Sequence, residues 1–360
     1  MNEEPYQDEP LDSAQEESLY LGEELFERIH LVVDRKQEPL RIDRFLTNRL
    51  PSISRNKIQQ AADQGLVLVN GKAVKSNYKI RPSDQILLYT YQEPPDTEII
   101  AEQLPLDIVY EDEDLMVVYK EAGMVVHPGA GNYRGTLVNG LAGYLYGTDP
   151  RALETAAPRV GLVHRIDKNT SGLLVIGKSE KAMNNLAQQF FDHSVTRRYV
   201  ALVWGDMEQQ EGSVRAHIGW HQRFRKKMDA FPDGDYGKEA VTHYRVLERF
   251  YYVSLIECRL ETGRTHQIRV HMQHIGHPLF NDDTYGGDRI VKGTLFSKYK
   301  QFVDNCFEIM PYHALHAKSL GFIHPRTRKP MYFERELPAN FQELIGKWRQ
   351  YVAHLKGEPG

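Results

Sequence analysis

Residues 90–104 interrupt an otherwise patterned chain with Pro94, Pro95 and several acids, the composition of a linker. Such a stretch carries no core-facing period. A chain of 360 residues therefore divides into a smaller unit before the break and a larger one after it. The pattern gives an acidic tail over 1–38, a small unit over 39–90, a linker over 91–104, a large unit over 105–353 and a short tail over 354–360.

The opening stretch MNEEPYQDEPLDSAQEESLYLGEELFE is acidic and without sustained periodicity, and it is read as a flexible tail. From Arg41 the pattern changes. Ile42, Phe45, Leu46 and Leu50 recur at helical spacing until Pro51 stops the run. Ser54 suits the N-cap of a second helix carrying Ile58, Ala61 and Ala62, which Gly65 ends. Leu66–Val69, the Asn70–Gly71 turn and a strand over Gln85–Tyr89 then form a small sheet. This unit displays Arg41, Arg44, Arg49, Arg55, Lys57, Lys72 and Lys75. Charge alone leaves two readings, a solvated basic face or an RNA-binding one.

The formal net charge of −4 looks unfavourable for nucleic acid, but its distribution is uneven. Residues 1–28 carry ten acids and one base, so the rest of the chain is mildly basic. Cys258 and Cys306 lie far apart with no CxxC partner, which points to reduced, packed thiols rather than a thiolate metal site or disulfide framework. No apolar run reaches the roughly 18 to 20 residues of a membrane span, and the start lacks a secretory pattern. A cytoplasmic protein is expected.

The large unit mixes strands and helices without a βαβ rhythm, which favours an α+β fold. Leu173–Gly177 and Val253–Leu260 read as buried strands, Tyr199, Ala201 and Val203 alternate as strand residues do, and Ala182, Leu186 and Phe190 keep helical intervals. A helix is predicted over Thr265–Ile275, stopped by Gly276. Two stretches concentrate polar chemistry. In VGLVHRIDKNTSGLLVIGKS (residues 160–179), His164 to Gly172 form a polar loop between buried strands, where a scaffold can hold functional side chains. Asp167 there is either a functional carboxylate or the closure of an Asx-turn. In LETGRTHQIRVHMQHIGHPLFNDDTYGG (residues 260–287), Arg264, His266, Arg269, His271, His274 and His277 crowd together. Their spacing admits zinc, but there is no HExxH pattern, and RNA contacts with internal hydrogen bonds account for them better. No metal is expected.

HRIDKNTSGLLVIGKS resembles the catalytic motif of the RluA-type RNA pseudouridine synthases, and TGRTHQIRVHMQHIGHP resembles their later arginine-bearing motif. PLDIVYEDEDLMVVYKEAGMVVHPGAG, RRYVALVWG, GKEAVTHYRVLE and HALHAKSLGFIHP follow in the family's order. The run from Arg41 to Asp84 resembles an S4-type RNA-binding module in element order and in its VNGK turn. The resemblance covers roughly residues 40–335. Within the family, PLDIVYEDED and VVHPGAGN look most like synthases of the RluD kind, which act on large-subunit ribosomal RNA.

The resemblance implies a mixed, largely antiparallel catalytic domain behind a two-helix S4-like domain, acting on RNA or a ribosomal particle. It assigns the essential carboxylate to Asp167, its arginine partner to Arg269 and the tyrosine that stacks on the target uracil to Tyr199. Arg165 corresponds to the side chain that fills the gap left by the flipped nucleotide. Arg55, Lys57, Lys72, Arg264 and His266 are expected to contact RNA. Breaking the N1–ribose bond and rejoining the base through C5 needs neither redox change nor group donor. That agrees with the lack of a GxGxxG unit, a Walker loop or a metal constellation, so no cofactor is expected. Three alternatives stand beside this reading: the same chemistry on transfer RNA, a non-catalytic RNA-binding or ribosome-assembly factor, and a carboxylate-based glycosidase or nucleosidase. Residues 288–312 are longer than the family's compact connection and are either a substrate-contacting insertion or a surface elaboration.

Overall fold

The computed structural model describes residues 25–34, 37–50, 55–91, 99–129, 132–147, 158–221, 224, 227–294 and 296–357, which fall into two compact units, Met1–Asp96 and Thr97–Gly360. Expectations placed on Pro51, Ser54, residues 92–98 and the first 24 residues lie outside this description. Among the described residues, no helix is long and apolar enough to cross a membrane.

In the first unit, α1 (Ile42–Arg49) and α2 (Arg55–Asp63) each turn one apolar stripe inward. Ile42, Phe45 and Leu46 share a face at i, i+3 and i+4, as do Ile58 and Ala62 at i and i+4. They meet Val67, Val69, Ile86 and Leu88 in one buried cluster. The sheet runs β1 (Leu25–Val32), β4 (Gln85–Tyr91), β2 (Val67–Val69), β3 (Lys72–Ala73). Asn70 and Gly71 both take positive φ, 52° and 80°, as the two-residue turn between β2 and β3 requires. Strand β1 corrects the tail expectation. Leu31 and Val33 face inward while Val32 is exposed, a period-2 signal that the neighbouring acids obscured, and pairing with β4 makes it a strand.

The second unit is built on β5 (Asp107–Glu111), β6 (Leu115–Lys120), β7 (Ser171–Gly177), β8 (Thr196–Trp204), β9 (Glu211–Trp220), β10 (Met228–Phe231), β11 (Lys238–Arg249), β12 (Val253–Leu260), β13 (Leu315–Ile323) and β14 (Pro330–Glu334). They form one sheet in the order β10-β9-β11-β12-β8-β13-β7-β6-β5, with β14 on β13. Every strand pair is antiparallel except β13 with β7, so the expected α+β, largely antiparallel architecture is what forms.

Alternation along the central strands makes two cores. Tyr199, Ala201 and Val203 of β8, with Leu174 and Ile176 of β7, face α3 (Leu137–Tyr146) and α5 (Gln267–His274). Val200, Leu202 and Trp204 face the other way, onto α6 (Ser297–Ile309) and α7 (Ala339–Leu355), while Leu173 and Val175 pack with Leu186 of α4 (Glu180–Phe191). One boundary differs from expectation. Residues 99–104 belong to the core: Ile99 and Ala101 pack against it, and Asn139 of α3 donates to the Ile100 carbonyl at 2.8 Å. The 288–312 segment contributes α6, whose Tyr299, Val303 and Cys306 at i, i+4 and i+7 are integral to the second core.

Candidate active site

The polar loop before β7 is fixed on both sides of Asp167. Ahead of it, Leu162 bridges Ile176, and the His164 Nε2 accepts the Val175 amide at 3.0 Å while its ring stacks on Phe190. Burial pushes His164 down to about 3, so it serves as a neutral packing group. After Asp167, the Thr170 amide donates to the Asp167 carbonyl at 3.1 Å, and the Thr170 hydroxyl pairs with His313 Nε2 at 2.9 Å. Beneath the loop lies Lys120, fully buried at the end of β6. Its ammonium gives its three protons to the carbonyls of Glu121, Met124 and Lys168 at 2.8, 2.9 and 2.9 Å. Burial pulls Lys120 down to about 7, against the favourable charge of Asp167.

Strand register aligns the site laterally. Gly172 of β7 lies beside Ala317 of β13, which lies beside Tyr199 of β8. Tyr199 thus joins Ile166 and Ile268 in the same apolar cluster, and the residue is only 8% exposed. Burial raises its phenol above the usual range, Arg197 opposes this and the Asp167 charge adds to it.

On α5, Arg269 reaches across to the loop. Its Nη1 donates to Asp167 Oδ2 at 3.0 Å, with the arginine side chain 5% and the carboxylate 18% exposed. The rest of the guanidinium is held by Asp282, which takes Nε at 2.8 Å and Nη2 at 3.0 Å and is itself fully buried. Asp282 Oδ1 also accepts the amides of Thr284 and Tyr285, each at 3.1 Å, so the clamp is anchored to its own turn. The Tyr285 ring lies 5.0 Å from the guanidinium carbon. His266 stands on the other side, with Nε2 3.9 Å from Asp167 Oδ1.

Burial alone would raise the Asp167 carboxyl. The charges of His266, Arg269 and His313 and the Arg269 hydrogen bond reverse this and hold it well below the usual carboxylate range. Arg269 is the durable member of that set, because burial pushes His313 down to about 4 whereas a guanidinium does not deprotonate in proteins. The described hydrogen bond of the Asp167 carboxylate goes to Arg269, and the loop is closed by its backbone. Such a site presents an ionised carboxylate, oriented and only partly covered.

A profile of the RNA pseudouridylate synthase family matches residues 114–274, and an S4 domain profile matches residues 40–86. An RNA pseudouridine synthase of Chlorobaculum parvum is 46% identical over 321 residues, 89% of this chain and 97% of that protein. This chain belongs to the RNA pseudouridine synthases. The ribosomal large subunit pseudouridine synthase D of Zymomonas mobilis is 43% identical over 312 residues, covering 85% of this synthase and 92% of that one. The solved structure of human RNA pseudouridylate synthase domain containing 4 shares the fold at TM-score 0.50, with 21% identity over 68% of this chain and 93% of that one.

Within the synthase, Asp167, Arg269 and His266 converge, with Tyr199 in the same cluster as the loop. Arg165 is half-buried on that loop. Arg264 is also half-buried and donates through Nε to the Glu239 carbonyl at 3.1 Å. The other expected RNA contacts belong to the S4 domain. Lys72 is exposed on β3, whereas Arg55 turns Nε and Nη2 onto buried Asp43 at 3.1 and 2.9 Å and ties α2 to α1; the Lys57 side chain lies outside the described residues. His271 and His277 are engaged separately, with Thr242 and with the Trp204 carbonyl. Among the described residues, the ligand-type groups that do converge are Asp112, Asp114 and His324, and His324 bonds Asp112 at 2.9 Å. Sequence reasoning missed Asp282, Tyr285, Lys120 and His313. The NDDTYGG segment was visible, but only the fold shows that its first Asp after Asn281 holds an arginine thirteen residues away.

Proposed function

We propose that this RNA pseudouridine synthase isomerises uridines of large-subunit ribosomal RNA in the cytoplasm, with Asp167 as the catalytic carboxylate. The observation that carries the reading is the charged Asp167–Arg269 pair, closed off behind by Asp282 and open on the Asp167 side. Two roles suit the carboxylate, attack on the sugar and removal of a ribose proton after the N1 bond breaks, and both need it ionised. Arg269 supports that condition through Nη1 while its Nε and Nη2 fork holds Asp282, a division that lysine cannot reproduce.

Tyr199 offers its aromatic face to the flipped uracil, stacking worth on the order of 1 to 3 kcal/mol. Arg165 takes the place vacated in the RNA stack. The S4 domain grips structured RNA through phosphates and shape, with exposed Arg44, Arg49, Lys72 and Lys75 as its contacts. The ribosomal choice is supported by several relatives, at 39 to 43% identity, that carry the name ribosomal large subunit pseudouridine synthase D.

The test is tritium release from C5-labelled RNA by the full-length protein. Large-subunit ribosomal RNA fragments are expected to be converted, and Asp167→Asn or Asp167→Ala to abolish conversion while RNA binding persists. Full activity in Asp167→Ala rejects the site. Conversion of transfer RNA but not of ribosomal RNA rejects the substrate, and binding without turnover by the unaltered protein rejects catalysis.

A further inference from the structure

Uridine isomerisation breaks the N1–C1′ and C5–H bonds and makes the C5–C1′ and N1–H bonds. A proton must therefore leave carbon. Asp167 is tied through Oδ2 to Arg269, which makes its carboxylate a weak base for a proton on carbon. A second acceptor, the His266 imidazole, stands beside it.

The His266 Nε2 lies 3.9 Å from Asp167 Oδ1, the oxygen left when Arg269 takes Oδ2. That gap is too long for a direct hydrogen bond, yet one atom of a bound base can lie within reach of both groups. The His266 side chain is 16% exposed, sheltered but accessible. Its other nitrogen is anchored: Nδ1 lies 2.9 Å from the Tyr285 hydroxyl, which also accepts the Met228 amide at 3.1 Å. Burial holds Tyr285 as the neutral phenol. When Nδ1–H donates to that oxygen, the Nε2 lone pair faces the site. Tyr285 meets the His266 ring edge-on and lies beneath Arg269, so one tyrosine orients both neighbours of Asp167. His266 also takes a left-handed backbone conformation, φ 56°, at the N-terminus of α5. Histidine and asparagine enter that region more readily than most residues.

We propose that His266 is a second catalytic residue, the base that removes the C5 proton once the new carbon–carbon bond has formed. This rests on the reading of Asp167 as the carboxylate acting at the ribose. The Nε2 lone pair takes the C5 proton. The C–H electron pair re-forms the C5=C6 double bond, the C6=N1 pair moves to N1, and N1 gains a proton as the imidazolium gives one up. No oxidant or reductant is involved.

The experiment compares His266→Asn with the unaltered full-length protein in single turnover on three RNAs, carrying uridine, C5-deuterated uridine or 5-fluorouridine at the target. Asparagine tolerates the left-handed conformation, so the helix start is kept. His266→Asn is expected to slow uridine conversion on the order of 100-fold and to show a deuterium isotope effect absent from the unaltered enzyme. It should rearrange 5-fluorouridine, which has no C5 proton, at the unaltered rate. Equal slowing on uridine and 5-fluorouridine, an absent isotope effect or an unchanged uridine rate each overturns the proposal. Tyr285→Phe, which keeps the imidazole but removes its anchor, is expected to give the same selective defect in weaker form; slowing of both substrates alike overturns it even if His266→Asn does not fold. Asp167→Asn is the separate control. Inactivity on both substrates upholds the underlying reading, whereas activity on both rejects that reading and, with it, the premise of a second base.

Discussion

Arg269 touches two carboxylates in unequal ways, and the inequality defines the site. Asp282 receives Nε and Nη2 as a fork and is fully buried, whereas Asp167 receives only Nη1 and keeps one oxygen toward the open side. The first contact fixes the guanidinium, and the second holds the Asp167 carboxylate in its charged form. Burial would raise the Asp282 carboxyl, but its hydrogen bonds and charge interaction with Arg269 lower it, so it remains an anion. Asp282→Ala removes the fork and leaves the Thr284 and Tyr285 amides without their acceptor. A loss of about 3 kcal/mol in urea denaturation is expected, together with a larger fall in turnover than in RNA affinity. Unchanged stability and turnover would show that Arg269 is held by its surroundings without Asp282.

The loop that carries Asp167 runs into β7 at Ser171 and Gly172, where the backbone of β13 comes close. Gly172 has φ 129°, and a Cβ there would lie 2.3 Å from the Ala317 carbonyl oxygen on β13. Gly172→Ala therefore combines an unfavourable dihedral with a backbone clash, and a loss of at least about 2 kcal/mol is expected. Turnover should fall further than melting alone explains, because the β7–β13 contact sets where the loop begins; a variant as stable and as active as the parent would contradict this. The same element shows what the sequence made legible. Polar residues between two apolar runs identified the loop, and the motif resemblance pointed to Arg269, 102 residues later. Alternation in β8 and helical spacing in α4 were equally readable, since each is a local period. Strand β1, residues 99–104 and α6 were not, because their apolar residues gain meaning only from partners distant in sequence. Asp282 and Lys120 were hidden for the same reason: nothing local distinguishes a buried clamp from a solvated charge.

At the scale of the whole synthase, buried histidines set the response to acid. His271, His313 and His316 are 0%, 3% and 0% exposed, and burial pushes each down to about 4. In the unfolded chain a histidine takes up its proton near pH 6.5. Between these values the unfolded chain binds more protons, so the stability these groups permit is complete above about pH 6.5 and is lost as pH falls toward 4. Each contributes up to about 1.4 kcal/mol per pH unit, and roughly 3 to 5 kcal/mol is expected to disappear between pH 6.5 and 5. The carboxylates act later. Asp43, Asp112, Asp167 and Asp282 are all held below their ordinary range, so their contribution persists above about pH 4 and fades only below it. Trp204, Trp220 and Trp348 all lie in the catalytic unit, and their fluorescence in urea titrations at pH 6.5, 5.75 and 5 reads that unit alone. Midpoints that fall steadily across this interval match neutral histidines locked in the core; midpoints that stay level to pH 5 and drop only near pH 4 would assign acid unfolding to the carboxylates instead.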